Sequence, residues 1–157
     1  MKIVISALAL VAMVACADTQ PASNDAPPAS QARASADFTQ MVNRFRASQG
    51  LGPLRTNRTL IRAATSHAAD MERRDYFSHS SVGGPNGNDL VARAASAGCD
   101  LRTGAENIAR GQDSELEVFE AWRDSPGHRR NLLGAKYTDF GLALVDDTWV
   151  MKISAGC

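Results

Sequence analysis

The order of helical and strand patterns along the chain restricts the fold class more than any other feature. Apolar residues recur at helical spacing from Asp37 to Gln49, and further helical patterns follow. Two strand-like runs, Tyr137 to Val145 and Thr148 to Ile153, come last, and the Asp146-Asp147 pair between them predicts an antiparallel hairpin. Since helices and strands do not alternate as βαβ units, the sequence predicts an α+β sandwich.

Local signals mark where several of these helices begin. Asn57 is a predicted N-cap for a helix whose apolar stripe runs to Met71. His67 lies beside that stripe, and a lone histidine there is typical of a packed, hydrogen-bonded core residue rather than of a ligand. Ser114 and Glu117 form the pattern of a capping box, which predicts the start of a later helix.

The N-terminal residues predict export. A basic start is followed by an apolar run from Ile3 to Ala15, which has the length of a signal-peptide core and is too short to span a bilayer. The run ends directly before Cys16 in a pattern that resembles a bacterial lipobox, so Cys16 is the predicted site of lipidation and membrane anchoring. An ordinary signal peptide with an incidental cysteine is the alternative. Ala17 is not the aspartate that favours inner-membrane retention, which predicts the outer membrane in a Gram-negative host.

The composition after the apolar run separates a tether from one folded domain. Residues 16–36 are rich in alanine, proline and serine and contain no aromatic residue, so they bury too little apolar surface to fold. The sequence therefore predicts a signal peptide at 1–15, a lipidated, disordered tether at 16–36 and a domain at 37–157. A length of about 120 residues suits one domain with one core, and we expect that domain to be monomeric.

Charge and cysteine content limit the classes of partner and the cellular compartment that we expect. Lys+Arg and Asp+Glu both number 17, and no basic block occurs, so nucleic acid is not an expected partner. If Cys16 is lipidated, Cys99 and Cys157 remain, and an even number of cysteines in an exported chain predicts a disulfide between them. Two free thiols are the alternative.

Three short motifs carry the residues with functional chemistry. His79 follows Tyr-Phe-Ser, Glu106 lies within Gly-Ala-Glu-Asn-Ile-Ala, and His128 lies within Ser-Pro-Gly-His-Arg. Two imidazoles and a carboxylate brought together form either a divalent-metal site or an acid–base cluster. The chain contains no Gly-x-Ser-x-Gly elbow, so the sequence disfavours a serine nucleophile.

These motifs, taken in order with several others, resemble the CAP superfamily, which comprises cysteine-rich secretory proteins, venom antigen 5 and plant pathogenesis-related proteins. The resemblance covers nearly all of residues 37–157 and follows the compact bacterial form. The segments that carry it are Val42-Asn43-Arg44-Phe45-Arg46, Gly50-Leu51-Gly52-Pro53-Leu54, Phe77-Ser78-His79, Ala105-Glu106-Asn107-Ile108-Ala109-Arg110-Gly111, Trp122, Ser125-Pro126-Gly127-His128-Arg129-Arg130-Asn131-Leu132-Leu133 and Tyr137-Thr138-Asp139-Phe140-Gly141-Leu142-Ala143.

The resemblance implies an α-β-α sandwich in which helices flank a central antiparallel sheet. It also implies a cleft with two histidines and two acidic residues, which binds a divalent cation in some family members. His79, Glu106 and His128 match three of these four positions. The fourth position of the family pattern is a glutamate three residues after the helix tryptophan, and in this chain it is Ser125, preceded by Asp124.

The three remaining groups leave two interpretations of the cleft open. With an open fourth position, His79, Glu106 and His128 match the ligand count of a catalytic zinc site. They equally suit a polar structural cluster, in which Glu106 hydrogen-bonds both histidines and pins three segments together. No cofactor is required by the second interpretation, whereas Zn²⁺ or another divalent cation is the occupant under the first.

Two classes of function follow from the resemblance. The first is a membrane-anchored, non-enzymatic module that binds a lipid, a cell-wall component or a protein partner in the cleft, as lipid binding within the family suggests. The second is a zinc-dependent hydrolase that uses His79, Glu106 and His128. We expect the first, because no further residue is marked as a general base and because the lost carboxylate reduces the negative charge available to hold a cation.

Overall fold

The fold is described by a computed structural model for residues 29–157, with side chains from residue 36 onward. The predicted signal peptide, the lipidation site Cys16 and the predicted tether up to residue 28 lie outside the described residues. Within the described part, no helix is both long enough and apolar enough to cross a membrane.

Five helices and four strands make up this part of the chain. In sequence order they are α1 (Ala29–Ser48), β1 (Arg55–Thr56), α2 (Arg58–Arg73), α3 (Leu90–Ser96), β2 (Gly104–Arg110), α4 (Glu115–Asp124), α5 (Pro126–Leu132), β3 (Asp139–Val145) and β4 (Thr148–Ser154). Helix α1 begins at Ala29, ahead of the predicted start at Asp37, so the last residues of the predicted tether are helical.

The strands form one sheet in the order β1-β3-β4-β2. Strands β3 and β4 form the predicted antiparallel hairpin, and Asp146 at its turn has a positive φ of 51°. Strand β2 pairs antiparallel with β4 along its whole length. The sheet is nevertheless mixed rather than entirely antiparallel, because the short strand β1 pairs parallel with β3. The α+β class is confirmed, with this correction to the predicted sheet.

Helices cover both faces of the sheet, as the predicted α-β-α sandwich requires. Alternate residues of β4 point to opposite faces, so Met151 packs with Phe38 of α1 and Trp122 of α4. Its neighbour Val150 packs instead with Met71 of α2. Two separate apolar clusters therefore hold the three layers together.

Two local features fix α2 against the sheet. The side chain of Asn57 accepts hydrogen bonds from the backbone N–H groups of Thr59 and Leu60 at 2.9 and 3.2 Å, which confirms the predicted N-cap. Across from this first turn lies Gly141 of β3, where a Cβ atom would come within 2.2 Å of the backbone N of Ile61. The glycine allows the helix and the strand to approach closely.

The C-terminal residue is tied to the middle of the domain by a disulfide. Cys99 and Cys157 are bonded, with a sequence separation of 58 residues. The bond joins the end of the chain to the loop between α3 and β2, where Cys99 is buried. A cross-link closing a loop of this size stabilises a fold by about 4 kcal/mol in the chain-entropy account. The predicted pairing is thus present, and the free-thiol alternative is not.

Candidate functional site

His79 lies in the long loop between α2 and α3, and this loop is held in place by arginines. Arg93 of α3 is 2% exposed and donates to the backbone oxygen of His79 at 2.6 Å and to the Ser81 hydroxyl at 3.0 Å. Arg110 at the end of β2 donates to the backbone oxygen of Tyr76 at 3.2 Å, and its guanidinium lies over the ring of Phe77. The loop backbone on both sides of the histidine is therefore anchored.

Glu106 of β2 is the centre of the site and is almost fully buried. One carboxylate oxygen lies 2.8 Å from Nδ1 of His79, and the other lies 3.2 Å from Nδ1 of His67. Lys152 of β4 donates from Nζ to this second oxygen, and Arg93 reaches it at 3.4 Å. Four donors from four different elements or loops thus converge on one carboxylate.

These contacts determine the charge of Glu106 and the tautomers of its partners. Burial by itself would raise the pKa of Glu106, but hydrogen bonds from His67 and His79 and the charge of Lys152 together hold that pKa far below its usual range. An ionised carboxylate only accepts hydrogen bonds, so both imidazoles must carry a proton on Nδ1 where they face it. The exposed His79 ring therefore keeps Nε2 for solvent or a ligand, since its side chain is 56% exposed.

His67 is the core residue that the sequence predicts, and it also belongs to the site. Its side chain is fully buried on α2, and its ring lies 6.4 Å from that of Tyr76. Nε2 of His67 has no hydrogen-bond partner within the described residues. His67 consequently acts on the site through Nδ1 alone, as a donor to Glu106.

His128 is placed by a second set of hydrogen bonds, between α5 and β2. Asn107 donates from its side-chain amide to the backbone oxygen of His128 at 3.3 Å. Asn131 donates from Nδ2 to Oδ1 of Asn107 at 2.8 Å and to the backbone oxygen of Glu106 at 3.2 Å. The Gly-Ala-Glu-Asn segment therefore positions both histidines, one through the carboxylate and the other through the amide.

The ring of His128 stands at the edge of the apolar core. It lies 6.5 Å from the ring of Trp122. Partial burial and the nearby charge of the His79 imidazole both lower the pKa of His128. The two predicted histidines are thus close enough for the charge of one to influence the other.

The fourth predicted position supplies no acidic group. Ser125 lies between α4 and α5, and its side chain makes no capping hydrogen bond. Asp124 is exposed and forms an ion pair with Arg123 at 2.8 Å, which lowers the pKa of Asp124 through that hydrogen bond and charge. The Asp124 carboxylate therefore belongs to the surface of α4. It does not replace the glutamate that the family pattern has at the position of Ser125.

A divalent cation does not fit the donor set that the fold brings together. Of the predicted ligands, the imidazoles of His79 and His128 each keep a nitrogen that could bind a metal. The carboxylate of Glu106 is instead engaged by Lys152, Arg93 and two histidines. The described residues contain no group of three or more His, Cys, Asp or Glu side chains placed to hold a metal ion. Glu106 instead resembles the outer partner of a ligand, which orients an imidazole without touching a metal.

Sequence reasoning missed Lys152 and Arg93. Lys152 lies in a strand-like run, where a lysine usually faces solvent, yet it is fully buried. The available signal was its position two residues after Val150, an apolar residue of the same sheet face. Arg93 gave no comparable signal, because its partners are distant in sequence.

Comparisons with known proteins agree with this architecture. The sequence model of the cysteine-rich secretory protein family (CAP) matches residues 39–152. The uncharacterized protein YkwD of Bacillus subtilis (strain 168) is 36% identical over 107 residues, which is 68% of this chain and 40% of YkwD. The chain therefore spans less than half the length of this relative.

Two solved structures show the same fold. An extracellular protein containing a SCP domain from Bacillus anthracis str. Ames superimposes with a TM-score of 0.70 and 25% identity, over 76% of this chain and 39% of that one. An outer surface protein from Borrelia burgdorferi gives a TM-score of 0.70 with 18% identity, over 80% of this chain and 94% of that one. At that identity the second likeness concerns the fold alone.

Proposed function

The chain belongs to the cysteine-rich secretory protein family (CAP), and from this we propose that it is an exported, membrane-anchored, non-enzymatic module whose His79–His128 cleft binds a component of the cell envelope. The anchor would be the lipidated Cys16, and the destination would be the outer membrane in a Gram-negative host. The ligand would be a lipid, a cell-wall component or a protein partner, with the domain acting as a monomer.

The export half of the proposal is supported by sequence and by relatives. An apolar run leads directly to Cys16, in the pattern of a lipoprotein signal. The Bacillus anthracis protein with the same fold is described as extracellular. The disulfide between Cys99 and Cys157 is typical of an oxidising compartment.

One observation supports the proposal that the domain binds a component of the cell envelope. His79 exposes more than half of its side chain, while its Nδ1 is fixed 2.8 Å from a buried carboxylate. A side chain whose orientation is set by buried partners loses little freedom when a ligand reaches it, so this geometry is suited to recognition. The donor set of the described residues does not fit a catalytic zinc, which favours binding over hydrolysis.

The anchor is tested by fractionating cells that express the full chain or its Cys16→Ser variant. The wild type should sediment with membranes, and the variant should be released or should accumulate unprocessed. Ser23→Ala serves as the control, because it lies in the predicted tether and leaves the lipobox unchanged. A Cys16→Ser protein that fractionates and migrates like the wild type would show that Cys16 is not an anchor.

Binding is tested with two probes, isolated sacculi and vesicles of extracted envelope lipid, using the chain from residue 16 onward with Cys16→Ser, so that neither a lipid nor the signal peptide inserts into the vesicles. Co-sedimentation with either probe should fall in His79→Ala and His128→Ala and persist in Ser80→Ala, an exposed neighbour of His79. Failure to bind either probe contradicts the proposal. Zn²⁺-dependent cleavage of casein that disappears in both histidine variants would replace it with the hydrolase.

A further inference from the structure

The residue facing Glu106 across the sheet is a lysine with no exposure to solvent. Glu106 of β2 and Lys152 of β4 are direct partners in the antiparallel register, and Nζ of Lys152 donates to the Glu106 carboxylate. Lysine is almost never fully buried unless it is paired. In the described structure its ammonium has this one side-chain partner, so the lysine is committed to the carboxylate.

One oxygen of the Glu106 carboxylate has no acceptor position left over. A carboxylate offers about four lone-pair sites to hydrogen-bond donors, two on each oxygen. His67, Lys152 and Arg93 all donate to Oε2, whereas His79 is the partner of Oε1. A metal ion could bind Oε2 only by displacing one of these three donors, and on Oε1 it would have to share the oxygen with His79.

The buried positive charges of Lys152 and Arg93 are a second feature that disfavours binding of a cation. Lys152 and Arg93 are 0% and 2% exposed, and both contact the same oxygen of one carboxylate. Among the buried groups, two cations against one anion leave an excess of one positive charge behind the His79 ring. Asp89 also acts on Lys152, but it is exposed to solvent, where its charge is screened. Asp70, the other buried acid near this side of α2, is engaged by Arg73, Arg74 and Tyr76 instead. Repulsion between like charges is strong where water is excluded.

From these contacts we propose that Lys152 is the resident cation of the cleft. Its ammonium, in place of a bound divalent metal, supplies the positive charge that keeps Glu106 ionised and His79 oriented, and it makes the cleft discriminate against divalent cations. Lys152 is thus a positioning residue that acts on His79 through Glu106. The inference goes beyond the proposed function, because it holds whichever envelope component the cleft binds.

The test measures uptake of Zn²⁺ alone by the full chain, after treatment with a chelator, using isothermal titration calorimetry. The wild type should show no saturable uptake that depends on the histidines. Lys152→Met removes one of the three donors to Oε2 and one of the two buried cations, so this variant should take up Zn²⁺ saturably and at least about tenfold more tightly than any uptake by the wild type. Adding His79→Ala to Lys152→Met should abolish the gain, and Lys152→Arg should behave like the wild type.

A second readout covers the case in which Lys152→Met does not fold. Paramagnetic Co²⁺ is titrated into the wild type while the imidazole resonances of His79 and His128 are followed by NMR. Resonances that stay sharp while those of exposed acidic side chains broaden support the proposal. Saturable broadening of both imidazoles, or saturable Zn²⁺ uptake that is lost in His79→Ala and His128→Ala, overturns it. A folded Lys152→Met variant that takes up no more Zn²⁺ than the wild type also overturns it.

Discussion

The carboxylate of Glu115, in the first turn of α4, accepts the backbone N–H of Phe38 in α1 at 3.1 Å. Partial burial raises the pKa of Glu115 to about 7, although the hydrogen bond from Phe38 opposes this shift. The contact joins two helices of the same layer, and it places a carboxyl that titrates near neutral pH at their junction.

Glu115 should therefore make stability depend on pH. Because its pKa is higher in the folded state than in the unfolded chain, the folded state binds the proton more tightly, and stability should fall as the pH rises through about 7. Solvent screening of this half-buried group limits the effect to about 1 kcal/mol or less. Urea unfolding of Glu115→Gln should lose this pH dependence, because the amide keeps the acceptor and cannot ionise. Glu120→Gln, an exposed change on the same helix, should retain it; an unchanged slope in Glu115→Gln would refute the assignment.

Removal of the central carboxylate should be the most damaging single change in the site. Glu106→Gln leaves Lys152 and Arg93 buried without their anion, which should lower the free energy of unfolding by about 3–5 kcal/mol. Replacing both partners, as Glu106→Leu with Lys152→Met, should recover part of the loss, because no unpaired lysine remains. Denaturant unfolding measures both, with the exposed Glu117→Gln as control. A double variant less stable than Glu106→Gln would contradict this account.

The stabilisation provided by the ion pair between Glu106 and Lys152 should persist in mild acid. Since the pKa of Glu106 lies far below its usual range, its stabilising contribution is fully present above the ordinary titration range of a glutamate and is lost progressively as the pH falls below that range. Unfolding midpoints of the wild type and Glu106→Gln, compared down an acid series, should keep their separation down to the ordinary glutamate range and then approach one another gradually as the pH falls further. Complete convergence of the two midpoints within the ordinary glutamate range would show that the pair is weaker than its contacts indicate.

A mutation should be able to loosen His128 without loosening His79, because different residues hold the two histidines in place. Asn131→Ala removes the amide that joins α5 to β2, so hydrogen exchange should accelerate around His128, with a stability loss of about 1–2 kcal/mol. The backbone of His79, anchored by Arg93, should be unaffected. Arg130→Ala, an exposed change on α5, is the matched control. Equal loss of protection around both histidines would contradict this division.

Arg110 should be irreplaceable even by lysine. Its guanidinium donates to Glu72 at 2.9 Å, to Tyr76 at 3.2 Å and to Thr148 at 2.8 Å, a set that one ammonium cannot reproduce. Arg110→Lys should accelerate hydrogen exchange in the loop that follows Tyr76 and lower stability by about 1–2 kcal/mol. Arg123→Lys, whose partners lie on the surface of α4, should change neither. Wild-type protection of the loop in Arg110→Lys would show that charge alone holds it.

Local signals predicted the parts of the fold that depend on neighbours in sequence. The Asn57 cap and the turn at Asp146 are of this kind, since their partners lie within a few residues. Strand β2 was not predicted, because Glu106 and Asn107 at its centre disfavour a strand and only pairing with β4 makes it one. Lys152 carries a partial signal in the apolar Val150 two residues before it, but its partner Glu106 lies on another strand, and only the pairing of β2 with β4 brings the two together.

The anchoring of the His79 loop distinguishes the positions that hold the histidine in place from the exposed positions that can be substituted. Arg93 holds the backbone at His79 and the side chain of Ser81, while the following Val82 is 81% exposed. Substitution of Val82 can therefore change the exposed surface of the loop without displacing the imidazole, whereas a side chain at Gly84 would come within 2.7 Å of the Ser81 hydroxyl. This arrangement makes Val82 a natural position for randomised libraries, in which the surface is redesigned around a histidine that keeps its place.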